Sequence, residues 1–179
     1  MGTQKVMPDG AVGDVNSDTR GSGARYNSGK IPYDLIPLRL IAESLNTQQK
    51  DYVFTSYINA LYMLGKWQET GEIRFLTDIT TVLGPNGGWK ECAEAFDYGR
   101  KKYSEWNWAK GMAWSIPLGC AARHLISMIN GEEVDPESGC THRGHVYCNL
   151  VMLQVFHRTF PDGDDRTRLL VPTIGQKKT

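Results

Sequence analysis

The side chains best equipped for chemistry crowd into the last third of the chain. His142, His145 and Asn149 stand at i, i+3 and i+7. At about 100° per residue in a helix they share a stripe within about 60°. Leu153 and Phe156 continue that stripe, so the polar groups lie at one end of an apolar face. A buried imidazole needs a partner, because an unsatisfied polar group costs about 1–3 kcal/mol. A hydrogen-bonded histidine pair supplies one; so does a metal or proton-transfer site. Arg123-His124 sit on the preceding apolar segment. Helices joined by a short loop are usually antiparallel neighbours, which would bring His124 toward His142 and His145. The loop between carries Glu132, Glu133, Asp135 and Glu137. Candidate metal ligands are therefore His124, Glu132, Asp135, His142 and His145. A carboxylate-dominated set suits Mn²⁺ or Mg²⁺, and an imidazole-dominated set suits Zn²⁺ or another transition metal. Taken alone, the acidic loop reads as a solvated turn.

Other motifs carry less. Cys140, His142, His145 and Cys148 contain four possible zinc ligands. Cys148 falls about 120° from His142 on a helical wheel, so one helix does not gather all four into a tetrahedron. Glu91, Glu94 and Asp97 lie on successive turns and read more readily as a solvated face than a metal site. Gly23 to Ile31 resembles a phosphate loop but fails as one. Its Gly29-Lys30 comes one residue late, and Ile31 stands where a metal-binding hydroxyl is required. The run Gly99-Arg100-Lys101-Lys102-Tyr103, followed by Asn107-Trp108, ends a helix with cations suited to a polyphosphate, beside rings able to stack on a base. Taken singly, Trp89, Trp108 and Trp114 read as core or interface aromatics.

Helices must position these groups. Residues 1–29 are rich in Gly, Asp, Asn and Ser and read as an extended arm, held by a neighbouring subunit or by the protein's own cleft. A helix begins after Asp34, and a helical period runs over 48–66. Residues 70–83 fit a helix but are rich in β-branched side chains. Gly84-Pro85-Asn86-Gly87-Gly88 is a turn. Helices are expected over 89–103, 114–130 (stopped at Asn130-Gly131) and 141–160, the last apolar nearly all round and hence central. The tail from Pro161 is polar. The expected fold is all-α, a bundle of five or six helices with an N-terminal arm.

The bulk properties limit function. The 179 residues suit one domain, and 40% are apolar, enough for a core. With 20 basic and 20 acidic side chains the formal charge is zero, which argues against nucleic acid as a partner. No apolar run reaches the roughly 18–20 residues of a membrane span. The first ten residues lack the apolar core of an export signal. A cytoplasmic protein with reduced cysteines is expected.

Three separated stretches, Arg25–Pro37, Tyr98–Gly111 and Arg123–Asn149, occur in an order that resembles the phage dATP/dGTP diphosphohydrolase family. That family is similar to the MazG-type all-α nucleoside triphosphate pyrophosphohydrolases. The nearest likeness is the MazZ branch, found in phages that replace adenine by 2-aminoadenine. Residues 46–88 depart from the pattern and read as an insertion, leaving 30–160 as the catalytic domain and 161–179 as a tail. The resemblance implies a MazG-like bundle that hydrolyses a purine (deoxy)nucleoside triphosphate between the α and β phosphates. Substrates are dGTP or GTP, with dATP possible, giving monophosphate and pyrophosphate. A divalent metal and a homo-oligomer, dimer or tetramer, are implied too. MazG-type enzymes hold metal on E-x-x-E and E-x-x-D helices. Here the matching positions fall near Arg123-His124 and at His142 and His145, so Glu132 and Asp135 become the carboxylate supply. On the same footing Lys30, Lys102 and Arg123 offset phosphate charge, and Glu132, Glu133 and His145 are the catalytic candidates. Tyr103, Asn107, Trp108 and Asn149 hold base and sugar, with Asp34 a lesser candidate for metal or ribose. Competing readings are a triphosphohydrolase or other metal phosphohydrolase, and a non-catalytic helical module with structural histidines.

Overall fold

The structure is a computed structural model describing residues 4–7, 9–46 and 51–170. The chain is mostly helical. Its helices are α1 (Leu38–Leu45), α2 (Tyr52–Thr70), α3 (Arg74–Val82), α4 (Pro85–Lys102), α5 (Ser115–Ile129) and α6 (His142–Thr159). Two short antiparallel strands in the arm, β1 (Ala11–Val12) and β2 (Arg25–Tyr26), form the only sheet among the described residues. The all-α expectation holds.

Local chemistry sets the helix ends. Asp51 caps α2 by accepting from the Phe54 N–H, and Gly71 ends it with φ 73°, a left-handed stop that favours glycine. Thr141 caps α6 by accepting from the Gly144 N–H. The expected turn at 84–88 appears as a break in α4, with non-helical backbone at Asn86 and Gly87. Residues 74–82 are helical despite their β-branched content, because Leu76 and Ile79 lie on one face and are fully buried. Tertiary burial overrides propensity there.

Helices α5 and α6 pack against each other, α4 lies on α6, and α2 carries α1, α3 and part of α5. Leu61, Leu64, Trp67, Leu125, Leu150 and Leu153 are completely buried between them. Each such side chain contributes roughly 1.5–3 kcal/mol. The stretch expected to be an insertion, in its described part 46 and 51–88, supplies α2 and α3 to this core. Backbone contact between α4 and α6 is close: a Cβ on Gly144 would stand 2.5 Å from the Glu91 carbonyl oxygen.

The arm lies on the protein's own surface. Asn107, in a 3-10 turn (Asn107–Lys110), accepts from the Ala24 N–H at 3.0 Å and donates to the Ala24 carbonyl at 2.9 Å. Gly21 and Gly23 donate to Lys110 and Gly111. The described part of the tail also docks. Arg166 is buried, bonds the Trp67 carbonyl at 2.8 Å and stacks over the Trp67 and Trp114 rings. Its polar sequence hid a guanidinium that pairs with Asp164 and lies over aromatic faces. No helix among the described residues is long and apolar enough to cross a membrane.

Candidate active site

A cavity of about 770 Å³ lies between the arm, α4, the segment 103–108, α5, the α5–α6 bend and α6. Its lining changes character along α6. His142 and His145 line one end, and Val151 and Met152 come on later turns, about 15 Å away along the axis from first to last. The apolar part of the lining includes Trp89, Phe96, Trp106, Trp108 and Met112. Phe96 and Trp108 lie with ring centroids 5.1 Å apart, and Trp106 and Trp108 with centroids 6.0 Å apart. The charged part of the lining includes Arg25, Lys30, Lys102, Arg123, Asp135 and Glu137.

The three imidazoles converge as the spacing predicts. Nδ1 of His124 and Nδ1 of His142 are 2.8 Å apart, and the His124 ring stacks on His145 with centroids 4.4 Å apart. The α5–α6 bend is pinned by a bridge between Val134 and Thr141, and by the His142 N–H donating to the Glu133 carbonyl. That fixes Asp135 and Ser138 beside His145. The Asp135 carboxylate accepts from both the Ser138 amide and its hydroxyl, the latter at 2.7 Å. Burial would raise the Asp135 pKa, but the Ser138 bonds and the neighbouring imidazoles outweigh it and hold the group ionised. With the hydroxyl proton committed to Asp135, His145 Nε2, at 2.7 Å from Ser138 Oγ, must be the donor. Neutral His145 therefore carries its proton on Nε2 and its lone pair on Nδ1. Burial, then His124, pushes His145 down to about 3, and the same causes lower His142.

A second knot lies beneath. The Arg25 guanidinium, from the arm, donates to Cys120 Sγ at 2.9 Å and to Asn149 Oδ1 at 3.3 Å. Burial opposes ionisation of the Cys120 thiol, but Arg25 and His124 overcome it and draw the pKa well below the usual thiol value. All four cysteines are free.

At the bend side of the pocket Glu137 bridges two lysines. Its Oε1 accepts from Lys102 Nζ at 2.7 Å, and its Oε2 accepts from Lys30. Those bonds hold the carboxyl down to about 2. Lys102 Nζ also faces the rings of Tyr26, Tyr98 and Tyr103 at 5.1, 5.7 and 5.9 Å.

The expected site residues divide. His124, His142, His145, Asp135, Lys30, Lys102, Tyr103, Asn107, Trp108 and Arg123 all line the cavity. Glu132 and Glu133 do not. Glu132 is exposed, with its carboxylate 3.6 Å from His142 Nε2, and Glu133 contributes its backbone carbonyl. A turn pinned by its own backbone bonds directs those side chains to solvent. Asp34 lies off the cavity against Gly119, where Gln68 reads its carbonyl. Asn149 is fully buried beneath the wall as the partner of Arg25. Asn107 spends both ends of its amide on Ala24. The Glu91, Glu94 and Asp97 row is an ion-paired face, engaged by Arg143, Lys90 and Arg100 with Lys101 respectively. Sequence reading missed Arg25, Tyr26, Glu137 and Cys120 as site members. Arg25 had a signal: a cation beside a tyrosine just after a glycine-rich stretch. Cys120, four residues before His124, had one too.

The donor types fit a divalent ion only as a two-point grip. Among the described residues no three His, Cys, Asp or Glu side chains gather closely enough to hold a metal. His124 Nδ1 and His142 Nδ1 share a hydrogen bond at 2.8 Å; an ion that displaced its proton would find them near the roughly 3 Å that separates cis ligands with bonds of about 2.1 Å. His142 Nε2 is buried with no hydrogen-bond partner.

No curated protein and no solved structure matches this chain. A family model does, over residues 65–166, which takes in α3 to α6 and the bend between α5 and α6. With more than half of its length matched, and with the imidazoles of α5 and α6 inside the match, the chain belongs to the family described as dATP/dGTP diphosphohydrolase, N-terminal.

Proposed function

We propose that the chain hydrolyses purine (deoxy)nucleoside triphosphates between the α and β phosphates, releasing the monophosphate and pyrophosphate. The observation that carries this reading is the mixed lining of the cavity, aromatic and cationic. The aromatic and apolar part of the lining suits a purine, and the cations Lys30, Lys102 and Arg123 suit a polyphosphate. The family description names dATP and dGTP.

In this reading Trp89, Phe96 and Trp108 flank the base, while Lys30, Lys102 and Arg123 offset charge on the phosphates. His145 Nδ1 takes the proton of the attacking water, with its tautomer set through Ser138 by Asp135. Burial holds His145 down to about 3; incoming phosphate charge raises it toward a useful range. His124 and His142 would hold a divalent ion, Mn²⁺ before Mg²⁺ given nitrogen donors. When bound, the ion polarises the phosphates and acidifies a water. The MazZ-like extension has dGTP preferred over dATP, with dGMP feeding 2-aminoadenine nucleotide synthesis. A homo-oligomer accompanies it, consistent with Leu35, Ile36 and Leu40 being exposed together around the start of α1.

The test is to incubate the protein with dGTP, dATP, GTP or ATP and Mn²⁺ or Mg²⁺ in ¹⁸O-labelled water, then identify the products. Label in the monophosphate and unlabelled pyrophosphate are expected. Deoxyguanosine with triphosphate, or a diphosphate with phosphate, would overturn the reaction assigned.

A further inference from the structure

Lys30 and Lys102 come from distant parts of the chain, one at the end of the arm and one at the last turn of α4. They meet on one carboxylate, Glu137, which comes from a third element, the α5–α6 bend. Both carboxylate oxygens are used, one by each lysine. All three side chains line the same cavity, and the Glu137 side chain is 39% exposed, so solvent reaches the bridge. Lys102 also has a cage of tyrosine rings around it, which favours the cation in place after its carboxylate has left.

We infer that Glu137 is an internal occupant of the anion subsite: it holds Lys30 and Lys102 together while the pocket is empty, yields them to the terminal phosphates of an incoming triphosphate, and takes them back as pyrophosphate leaves. A carboxylate offers one negative charge and two oxygens. The β and γ phosphates offer more of both, so they win the lysines when bound. A displaced Glu137 stands close to the phosphates with the same sign of charge, which loosens the product. The bridge also keeps two like charges together in an empty site. This inference rests on the reading of the pocket as a triphosphate site.

The experiment is calorimetric titration of inorganic pyrophosphate, at fixed ionic strength, into the wild type, Glu137→Gln, Glu137→Asp, and the double variant Glu137→Gln with Lys102→Gln. Glu137→Gln removes the competitor, and pyrophosphate affinity should rise about tenfold. Glu137→Asp is too short to reach both lysines and should move the same way by less. The double variant should lose the gain. In turnover, Glu137→Gln should lower both KM and kcat, with stronger inhibition by pyrophosphate. Unchanged or weaker pyrophosphate binding in Glu137→Gln, with an unchanged melting temperature, overturns the inference. The two readings fail separately. A protein that shows the affinity gain but cleaves no nucleotide keeps the subsite and loses the reaction. A protein that cleaves dGTP with no affinity gain keeps the reaction and loses the role of Glu137.

Discussion

His145 shows how much one side chain depends on its neighbours. Its tautomer follows from the carboxylate two bonds away: Asp135 takes the Ser138 proton, so Ser138 can only accept from His145. Replacing His145 by Ala should lower kcat by a hundredfold or more, the range expected of proton transfer, while circular dichroism stays native. Full activity would remove His145 from the chemistry. Ser138→Ala tests the relay separately. It keeps the imidazole but frees Nε2, so kcat should fall by less, and the lower limb of the pH–rate profile should move. A profile identical to wild type would show that the hydroxyl only packs. The imidazole cluster was legible because helical spacing is strict: groups at i and i+3 must share a face. Glu137 was not, because a turn has no period to say which of several acids faces inward.

At the scale of elements, the arm is the surprise. Its composition predicts a segment with too little apolar surface to order itself, yet Ala24 is buried and Arg25 and Tyr26 reach the cavity wall. The fastening is polar and distant in sequence, an asparagine amide closing both bonds to one residue. That type of contact leaves no local pattern, which is why Asn107 read as a substrate ligand. Asn107→Ala should leave the buried Ala24 N–H and C=O unpaired, costing about 1–3 kcal/mol for each group. The arm should then lift: limited proteolysis should cut within residues 10–23, and KM should rise more than kcat falls. An arm as resistant as wild type would mean that the glycine contacts at 110–111 suffice. The seam between α4 and α6 gives an independent check. Gly144→Ala places a methyl 2.5 Å from the Glu91 carbonyl, and backbone cannot step aside cheaply. A loss of about 2 kcal/mol, or roughly 4–8 °C in melting temperature, is expected.

For the whole molecule, the same burial that keeps the imidazoles neutral makes the fold sensitive to mild acid. His142, His145 and His157 all have folded pKa values below the usual imidazole value, burial being the first cause in each, with Arg166 adding to it at His157. The unfolded chain titrates these groups near 6.5. Below that pH the unfolded state binds protons that the fold refuses, so stability is full above about 6.5 and falls as the pH drops toward the folded values. For His145, with a folded value of about 3, the loss continues to the lowest pH of the three. Carboxylates such as Glu137, held down to about 2, act on the next interval, losing their contribution as the pH falls from the usual carboxylate range toward that value. A metal-free sample in chelator should therefore show its melting temperature falling already between pH 6.5 and 5, where ordinary carboxylates are still ionised. His145→Gln should flatten that limb while leaving the steeper loss below pH 4. A melting temperature level from pH 7 to 5 would mean that the imidazoles take up protons inside the fold. Glu132 and Asp135 would then have to be the partners that allow it, since they are the carboxylates 3.6 Å from His142 and His145.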